Sequence, residues 1–284
     1  MTSPQPAATV DLQVHSTASD GAVAPADIAA IAVSARLSAF ALTDHDSMAG
    51  VADATAAAAR VGVRVIPGVE LSAMHGDREV HLLGLHIESR STIETRLIEF
   101  RAQREDRAAA IVRKLQALGA SVSYDDVVRE AAGAAIGRPH VARVLVKAGG
   151  AADFRDAFDR FLGAGRPAFV PKPRLLARDA IALIHDAGAI AVWAHPGPLG
   201  RREMIEALVA DGLDGIEILH PGHSAEDTAR LRALCDHVQI LPSGGSDWHG
   251  EMTGARTLGV MAVPAEWLAR QDERVAARRG AGVT

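Results

Sequence analysis

The sequence predicts an α/β fold: a βα barrel interrupted by a small helical insertion. Three observations lead there. Short apolar runs alternate with helix-like ones across residues 8–85 and again from 177 onward, the rhythm of strands joined by helices. Between these stretches, residues 91–165 read as mostly helical. The chain has 284 residues, 48% of them hydrophobic, enough for one large barrel or two medium domains.

Residues 8–15 read as the first strand. A helix follows at 25–36, with Pro25 near its first turn, where the missing N–H costs nothing. Ser38–Thr43 is a buried strand ending in Asp44-His45-Asp46, and an Ala-rich helix continues to Arg60. Arg64–Leu71 is a third strand. Glu79–Leu85 is a fourth, paired with the third across a turn at Met74–Arg78. The rhythm predicts a largely parallel sheet. In the helical stretch, charged faces occupy 99–107 and an amphipathic run spans Ala108–Leu118. After Pro171-Lys172-Pro173 the alternation resumes with a helix at 177–187 and a strand, Ala189–Ala194, ending in His195-Pro196-Gly197. A helix at 201–211, the strand Gly215–Leu219 and a helix at 224–237 follow. A last strand, Gln239–Pro242, runs into Ser243-Gly244-Gly245-Ser246-Asp247-Trp248-His249. The barrel is therefore expected over 1–95 and 166–284, and the insertion over 96–165.

A net charge of −5 argues against a broad nucleic-acid surface but leaves room for a small basic pocket. The single cysteine, Cys235, allows no intrachain disulfide and fits a reducing cytoplasm. The first ten residues lack the basic and apolar regions of a signal peptide. No run of ~18 apolar residues suggests a membrane span. Only three lysines occur among the many arginines, so general Arg-richness carries little information.

Chemistry concentrates at strand ends. Side chains alternate along a strand, so Asp11, Gln13 and His15 share one face. Burying three such groups costs several kcal/mol unless something satisfies them, and a metal would. Polar residues recur at the C-terminal ends of the predicted strands: His15, Asp20, His45, Glu70, His81, His195, Asp247 and His249. That rim is where barrel enzymes build their sites. One such histidine alone reads as a hydrogen-bonded structural residue; eight such groups together read as a metal centre. Imidazoles with carboxylates suit Zn, Mn or Fe. One bridging carboxylate can hold two ions about 3.5–4 Å apart.

These segments carry a resemblance: Asp11-Leu12-Gln13-Val14-His15, Ser19-Asp20-Gly21, Thr43-Asp44-His45-Asp46, Gly68-Val69-Glu70, Val80-His81, Ala194-His195-Pro196-Gly197 and Gly245-Ser246-Asp247-Trp248-His249. In order and over nearly the whole chain, they resemble the PHP (polymerase and histidinol phosphatase) family of metal-dependent phosphoesterases, within the amidohydrolase superfamily. The branch most resembled removes phosphate from 3′,5′-nucleotide bisphosphates and trims short RNAs from the 5′ end. The resemblance implies a distorted (β/α)7 barrel and two or three divalent metals per chain, Mn foremost, with Zn, Fe or Mg as alternatives. By position, Glu70 would bridge two metals. His15 and Asp247 would complete the first site beside Gln13, His81 and His195 the second, and Asp20, His45 and His249 would hold the third. Gln13 departs from the family's usual His. Its amide oxygen coordinates hard cations weakly, so the first site is expected to be weaker or to select a different metal.

Phosphate also needs positive groups. Arg138 and His140 flank Pro139 at a predicted helix start and resemble the family's substrate-binding pair. Lys172 sits on a stiff Pro-Lys-Pro segment. His223 fits a phosphate donor or an acid for the leaving oxygen, and is preferred over His220. Asp44, Asp46 and Asp11 are expected to orient ligands. His75, His86, His185 and His237 read as structural or exposed, and Trp193, Trp248 and Trp267 as packing, with Trp248 also facing the pocket. The expected reaction is phosphomonoester hydrolysis by a metal-bridging hydroxide, with Glu70, Asp247, Arg138 and His223 catalytic. The expected partner is a nucleotide or short oligonucleotide, not long duplex or membrane. Two rivals stand beside it: a nucleotide-binding pseudoenzyme impaired at Gln13, and a carbon-centre amidohydrolase.

Overall fold

A computed structural model describes residues 9–171 and 175–281. Lys172 lies outside the described residues. Seven strands form the barrel: β1 Thr9–Val14, β2 Leu37–Leu42, β3 Arg64–His75, β4 Arg78–Leu85, β5 Ile190–Ala194, β6 Gly215–Leu219 and β7 Leu241–Gly244. A two-residue β8, Val263–Pro264, pairs antiparallel with β1. The sheet order is β7-β6-β5-β4-β3-β2-β1-β8.

The barrel strands are largely parallel, with one reversed. β1–β2, β2–β3, β5–β6 and β6–β7 are parallel, but β4 is antiparallel to both β3 and β5. β4 is the return arm of a tight hairpin with β3, so it runs down the barrel where the other barrel strands run up. Its C-terminal end therefore lies at the bottom.

The chain beyond β7 comes back onto β1. His15 N donates to Trp248 O at 2.9 Å, and the sheet nearly closes there. The approach needs glycine at 245: a Cβ would lie 2.6 Å from Gln13 N. The barrel core is apolar, with Leu12, Phe40, Leu42, Leu83 and Val192 fully buried. Trp193, Trp248 and Trp267 all pack inside. Trp248 is wholly buried and donates from its indole to Glu251 O at 2.8 Å, so it does not face the pocket as expected.

Helices α1 Pro25–Ser34 and α2 Val51–Ala59 cover one flank. From the bottom of β4, α3 (Arg90–Ala117) climbs for 28 residues, about 42 Å at the helical rise. Its first half, through Ile93, Leu97 and Phe100, packs into the barrel core. Its second half, through Ala108, Ile111, Val112 and Leu115, belongs to a separate core. That second core also takes Val127 from α4 (Tyr124–Ala131), Val141 and Leu145 from α5 (Arg138–Lys147), Ala157 from α6 (Phe154–Ala157), and Leu162 from the π-helical turn that follows.

Helices α7 Ala177–Asp186, α8 Arg202–Ala210 and α9 Ala225–Val238 alternate with the later strands. A final helix, α10 Ala265–Ala281, had no counterpart in the sequence reading. Arg278 on α10 clamps Asp214, just ahead of β6, at 2.7 and 3.0 Å. Among the described residues, no helix is long and apolar enough to cross a membrane.

Candidate metal centre

Every rim residue singled out from the sequence converges on one end of the barrel. His15 lies just beyond β1, His45 beyond β2, His195 beyond β5, and Asp247 and His249 beyond β7. Glu70 projects from β3 and His81 from β4. His81 lies away from its strand's C-terminal end, opposite Ala194. Only because β4 is reversed does it reach the same rim.

The ligand atoms fall into three groups: His15, Asp20, His45 and His249; Glu70, His81 and His195; and His15, Glu70 and Asp247. Within each group they lie within 4.8 Å of one another. Glu70 divides its two oxygens. Its Oε2 faces His15 Nε2 at 3.1 Å, while its Oε1 faces His81 Nδ1 at 2.7 Å and His195 Nε2 at 3.2 Å. Asp247 Oδ1 lies 3.3 Å from His15 Nε2. His249 Nε2 lies 3.4 Å from Asp20 Oδ1, and its ring stacks on His15 with centroids 4.3 Å apart.

The donor set fits divalent cations. Buried polar atoms in native proteins nearly always find hydrogen-bond partners. Here both ring nitrogens of His15, Nδ1 of His45 and Oε1 of Gln13 are buried without one. The short approach of His15 Nε2 to two carboxylates is thus one of proximity rather than of aligned hydrogen bonding. Imidazole and carboxylate donors of this kind match first-row transition ions and magnesium.

Electrostatics support the arrangement. Burial alone would raise the Glu70 carboxyl, but the imidazoles of His45, His15, His195 and His81 outweigh it and hold it well below the usual range. Asp20 and Asp247 are held well below theirs in the same way, against the same burial penalty. Burial pushes His45 down to about 3, against the pull of Glu70 and Asp20. His195 and Asp247 also adopt left-handed backbone, with φ of 33° and 51°. Such strain is retained where surrounding structure over-determines it, often at functional sites.

A layer of supporting contacts fixes these residues. Asp11 accepts from Ser246 N at 2.9 Å, Ser246 Oγ at 2.6 Å and Gly259 N at 2.8 Å, locking the residue beside Asp247. Asp44 and Asp46 were expected to orient His45; their carboxylates turn elsewhere. Asp44 accepts from Ser16 N at 2.8 Å and Ser19 Oγ at 2.6 Å, shaping the loop that carries Asp20. Asp46 pairs with Arg104. Glu217, not singled out from the sequence, accepts from His195 N at 2.7 Å. Burial pushes its carboxyl up to about 8.

A cavity of about 420 Å³ opens over the centre, lined by His45, Glu70, His81, His195, Asp247 and His249 together with Gly197, Pro198, His220, Gly222, His223 and Arg256. The two histidines differ in what they offer. His223 donates from Nδ1 to Ile218 O at 3.0 Å and accepts at Nε2 from Gly197 N at 3.1 Å. Both nitrogens are engaged by backbone, so the donor role expected of His223 has no free N–H here. His220 accepts at Nδ1 from Gly222 N at 3.0 Å, which leaves the proton on Nε2, 3.8 Å from Asp247 Oδ2. His220 is the better placed proton donor. Arg256 was also missed from the sequence.

The structure does not bring Arg138 and His140 together as a pair at the metal pocket. The Arg138 guanidinium lies over the Phe158 ring at 5.7 Å and joins Arg104 and Arg107 in lining a small cavity beside Gly137. His140 is buried, its Nδ1 accepting from Gly137 N at 3.0 Å. Burial and the nearby Arg138 push Arg107 down to about 10. Arg104 Nη2 is buried without a partner, and the guanidinium feels the charges of Asp46, Asp20 and Glu70. Arg104 already has Asp46 as its counter-ion, while Arg107 carries the repulsion of both neighbouring guanidiniums.

Known proteins share this architecture. The PHP domain family matches residues 11–162. A 3′,5′-nucleoside bisphosphate phosphatase of Chromobacterium violaceum is 36% identical over 259 residues, covering 89% of this chain and 91% of that protein. The 5′-3′ exoribonuclease Rnm of Escherichia coli is 34% identical over 250 residues, covering 84% of each. Among solved structures, a candidate metal-dependent phosphoesterase of Bifidobacterium adolescentis aligns with a TM-score of 0.85 at 32% identity, over 95% of this chain and 97% of that one.

Proposed function

The chain belongs to the PHP domain family, and from that premise we propose that it is a metal-dependent phosphoesterase that hydrolyses a phosphomonoester of a 3′,5′-nucleoside bisphosphate or of a short 5′-phosphorylated oligonucleotide. The observation that carries this reading is Glu70, whose two oxygens divide between two ligand groups beneath an open cavity. The names of the relatives support the substrate class.

Two or three divalent ions per chain, Mn foremost, would be held by His15, Glu70 and Asp247, by Glu70, His81 and His195, and by Asp20, His45 and His249. When bound, such ions supply Lewis-acid polarisation of phosphoryl oxygens and ionise water near neutral pH. The protein's own groups do the rest. Glu217 fixes the backbone of His195, and Asp11 fixes that of Ser246. His220 holds a proton on Nε2 at the cavity wall, within reach of a leaving oxygen. Arg104, Arg107 and Arg138 form the positive group for a second phosphate, with His140 buried beside it; Lys172 is proposed from the sequence as a further phosphate-binding cation. His223 shapes the wall next to Gly197. The arginine group favours a phosphate ester over a carbon-centre substrate. The compartment proposed is the cytoplasm.

The test is phosphate release by the purified, Mn-loaded protein from nucleoside 3′,5′-bisphosphates and from short 5′-phosphorylated RNA. Turnover of either is expected. Inertness toward both and toward simple phosphomonoesters would overturn the reading.

A further inference from the structure

Gln13 is fully buried at the centre of the ligand cluster. Its Nε2 donates to Glu70 Oε2 at 3.1 Å, but its carbonyl oxygen has no hydrogen-bond partner. A buried carbonyl left unpaired costs about 1–3 kcal/mol. Turning the amide over does not relieve it. That would set two acceptors, the Gln13 oxygen and the Glu70 carboxylate, against each other. Glu70 thus fixes which end of the amide is free.

The same Glu70 oxygen faces His15 Nε2 at 3.1 Å, and that nitrogen lies 3.3 Å from Asp247 Oδ1. This corner gathers two carboxylate oxygens and a single imidazole nitrogen, with the Gln13 amide held against one of those oxygens. The other two corners are richer in nitrogen: His81 and His195 join Glu70 at one, and His45 and His249 join Asp20 at the other.

We propose that the Gln13 carbonyl oxygen is a metal ligand, and that the oxygen-rich corner it completes favours Mn²⁺ or Mg²⁺ where the imidazole-rich corners favour Zn²⁺. The inference rests on reading this rim as a metal centre. Amide and carboxylate oxygens suit hard cations, whereas zinc gains more from imidazole nitrogen. A cation seated there also satisfies the orphaned oxygen, which no side chain of the fold does.

The test reads metal content and spectroscopy rather than turnover. Metal-free full-length protein is dialysed against mixed Mn²⁺ and Zn²⁺, and bound metals are counted by elemental analysis. The wild type is expected to retain Mn²⁺ in one position while Zn²⁺ fills the others. Pulsed electron paramagnetic resonance of that Mn²⁺ should show coupling to one imidazole nitrogen. In Gln13→His, whose corner gains a second imidazole, Zn²⁺ should displace that Mn²⁺ and its signal should be lost. Gln13→Leu should weaken Mn²⁺ binding there ~10-fold or more. Gln13→Asn, which keeps the amide but shortens its reach, guards against misfolding of the leucine variant and should weaken binding likewise. Unchanged Mn²⁺ affinity in folded Gln13→Leu or Gln13→Asn, or Zn²⁺ in every wild-type position, overturns the proposal. Failure of the wild type to bind any divalent ion overturns instead the reading of the rim as a metal centre.

Discussion

The Arg256 guanidinium grips Asp247 Oδ2 at 2.5 Å, while the other oxygen of that carboxylate faces His15 at 3.3 Å. One candidate ligand is thus shared between His15 and a guanidinium on the cavity wall. Arg256 is partly exposed and lines the same cavity, where an incoming phosphate would meet it. Charge-assisted contacts of this kind contribute about 1.5–3 kcal/mol. Arg256→Ala should therefore raise KM for a phosphorylated substrate roughly 10-fold and leave metal stoichiometry unchanged. Steady-state kinetics paired with elemental analysis checks both halves.

Glu70 is the hinge of the centre. Glu70→Gln keeps the shape but removes the charge that faces His15, His81 and His195. At least one metal equivalent should be lost. Several kcal/mol of transition-state stabilisation should go with it, a fall in kcat of about 10³-fold. Circular dichroism should remain native, which separates lost metal from lost fold.

Metal affinity should depend on pH in a stated direction. Burial lowers each imidazole, yet the carboxylates win at His15, His195 and His249, which lie above the ordinary histidine value of about 6.5. A ligating imidazole must be deprotonated. As pH falls through those raised values, the rings hold their protons and exclude the cation. As pH rises, affinity climbs, and it should still be climbing at pH 7. Calorimetry in buffers of different ionisation heat should detect proton release on binding. An affinity flat between about pH 6 and 8 contradicts this.

At the opposite end, Asp214 anchors α10 through Arg278 and also pairs with His185 at 2.8 Å. Burial opposes its charge, but His185 and Arg278 hold its carboxyl below the usual range. A depressed carboxyl stabilises the fold above its unfolded pKa, and that stability is lost as pH falls through the folded value. Asp214→Asn should destabilise the protein at neutral pH by on the order of 3 kcal/mol. The gap to wild type should close in strong acid. Thermal melts across pH measure it, and kcat should be untouched.

Strand ends were legible because polar residues interrupt apolar runs there, as at His15, His45, His195 and Asp247. Boundaries shift where a cap intervenes. The last barrel strand starts at Leu241 rather than Gln239 because Gln239, at φ 58°, caps α9 in the left-handed region. The short Met74–Arg78 turn already made β4 antiparallel to β3, yet the sequence reading left His81 at the C-terminal end of its strand, whereas in a reversed strand only the N-terminal end reaches the rim. Arg104 and Arg256 were lost against an Arg-rich background. α10 buries a thin apolar stripe, Trp267, Leu268 and Val275, beside a buried Gln271, within a polar, Ala-rich run. Glu217 was a readable signal passed over: an acid between two isoleucines in a buried strand has to serve something.

The unbroken α3 acts as a ruler between two machines. Its lower half is bolted to the barrel, its upper half to the insertion, and Arg104 and Arg107 sit between the two. The gap between arginines and metal corner is therefore counted in residues. Adding one residue between Phe100 and Arg104 lifts everything above it by about 1.5 Å and swings it by about 100°. The arginines would then face away from the rim. Length polymorphism should be tolerated in the connection between α3 and α4, and selected against inside this helix.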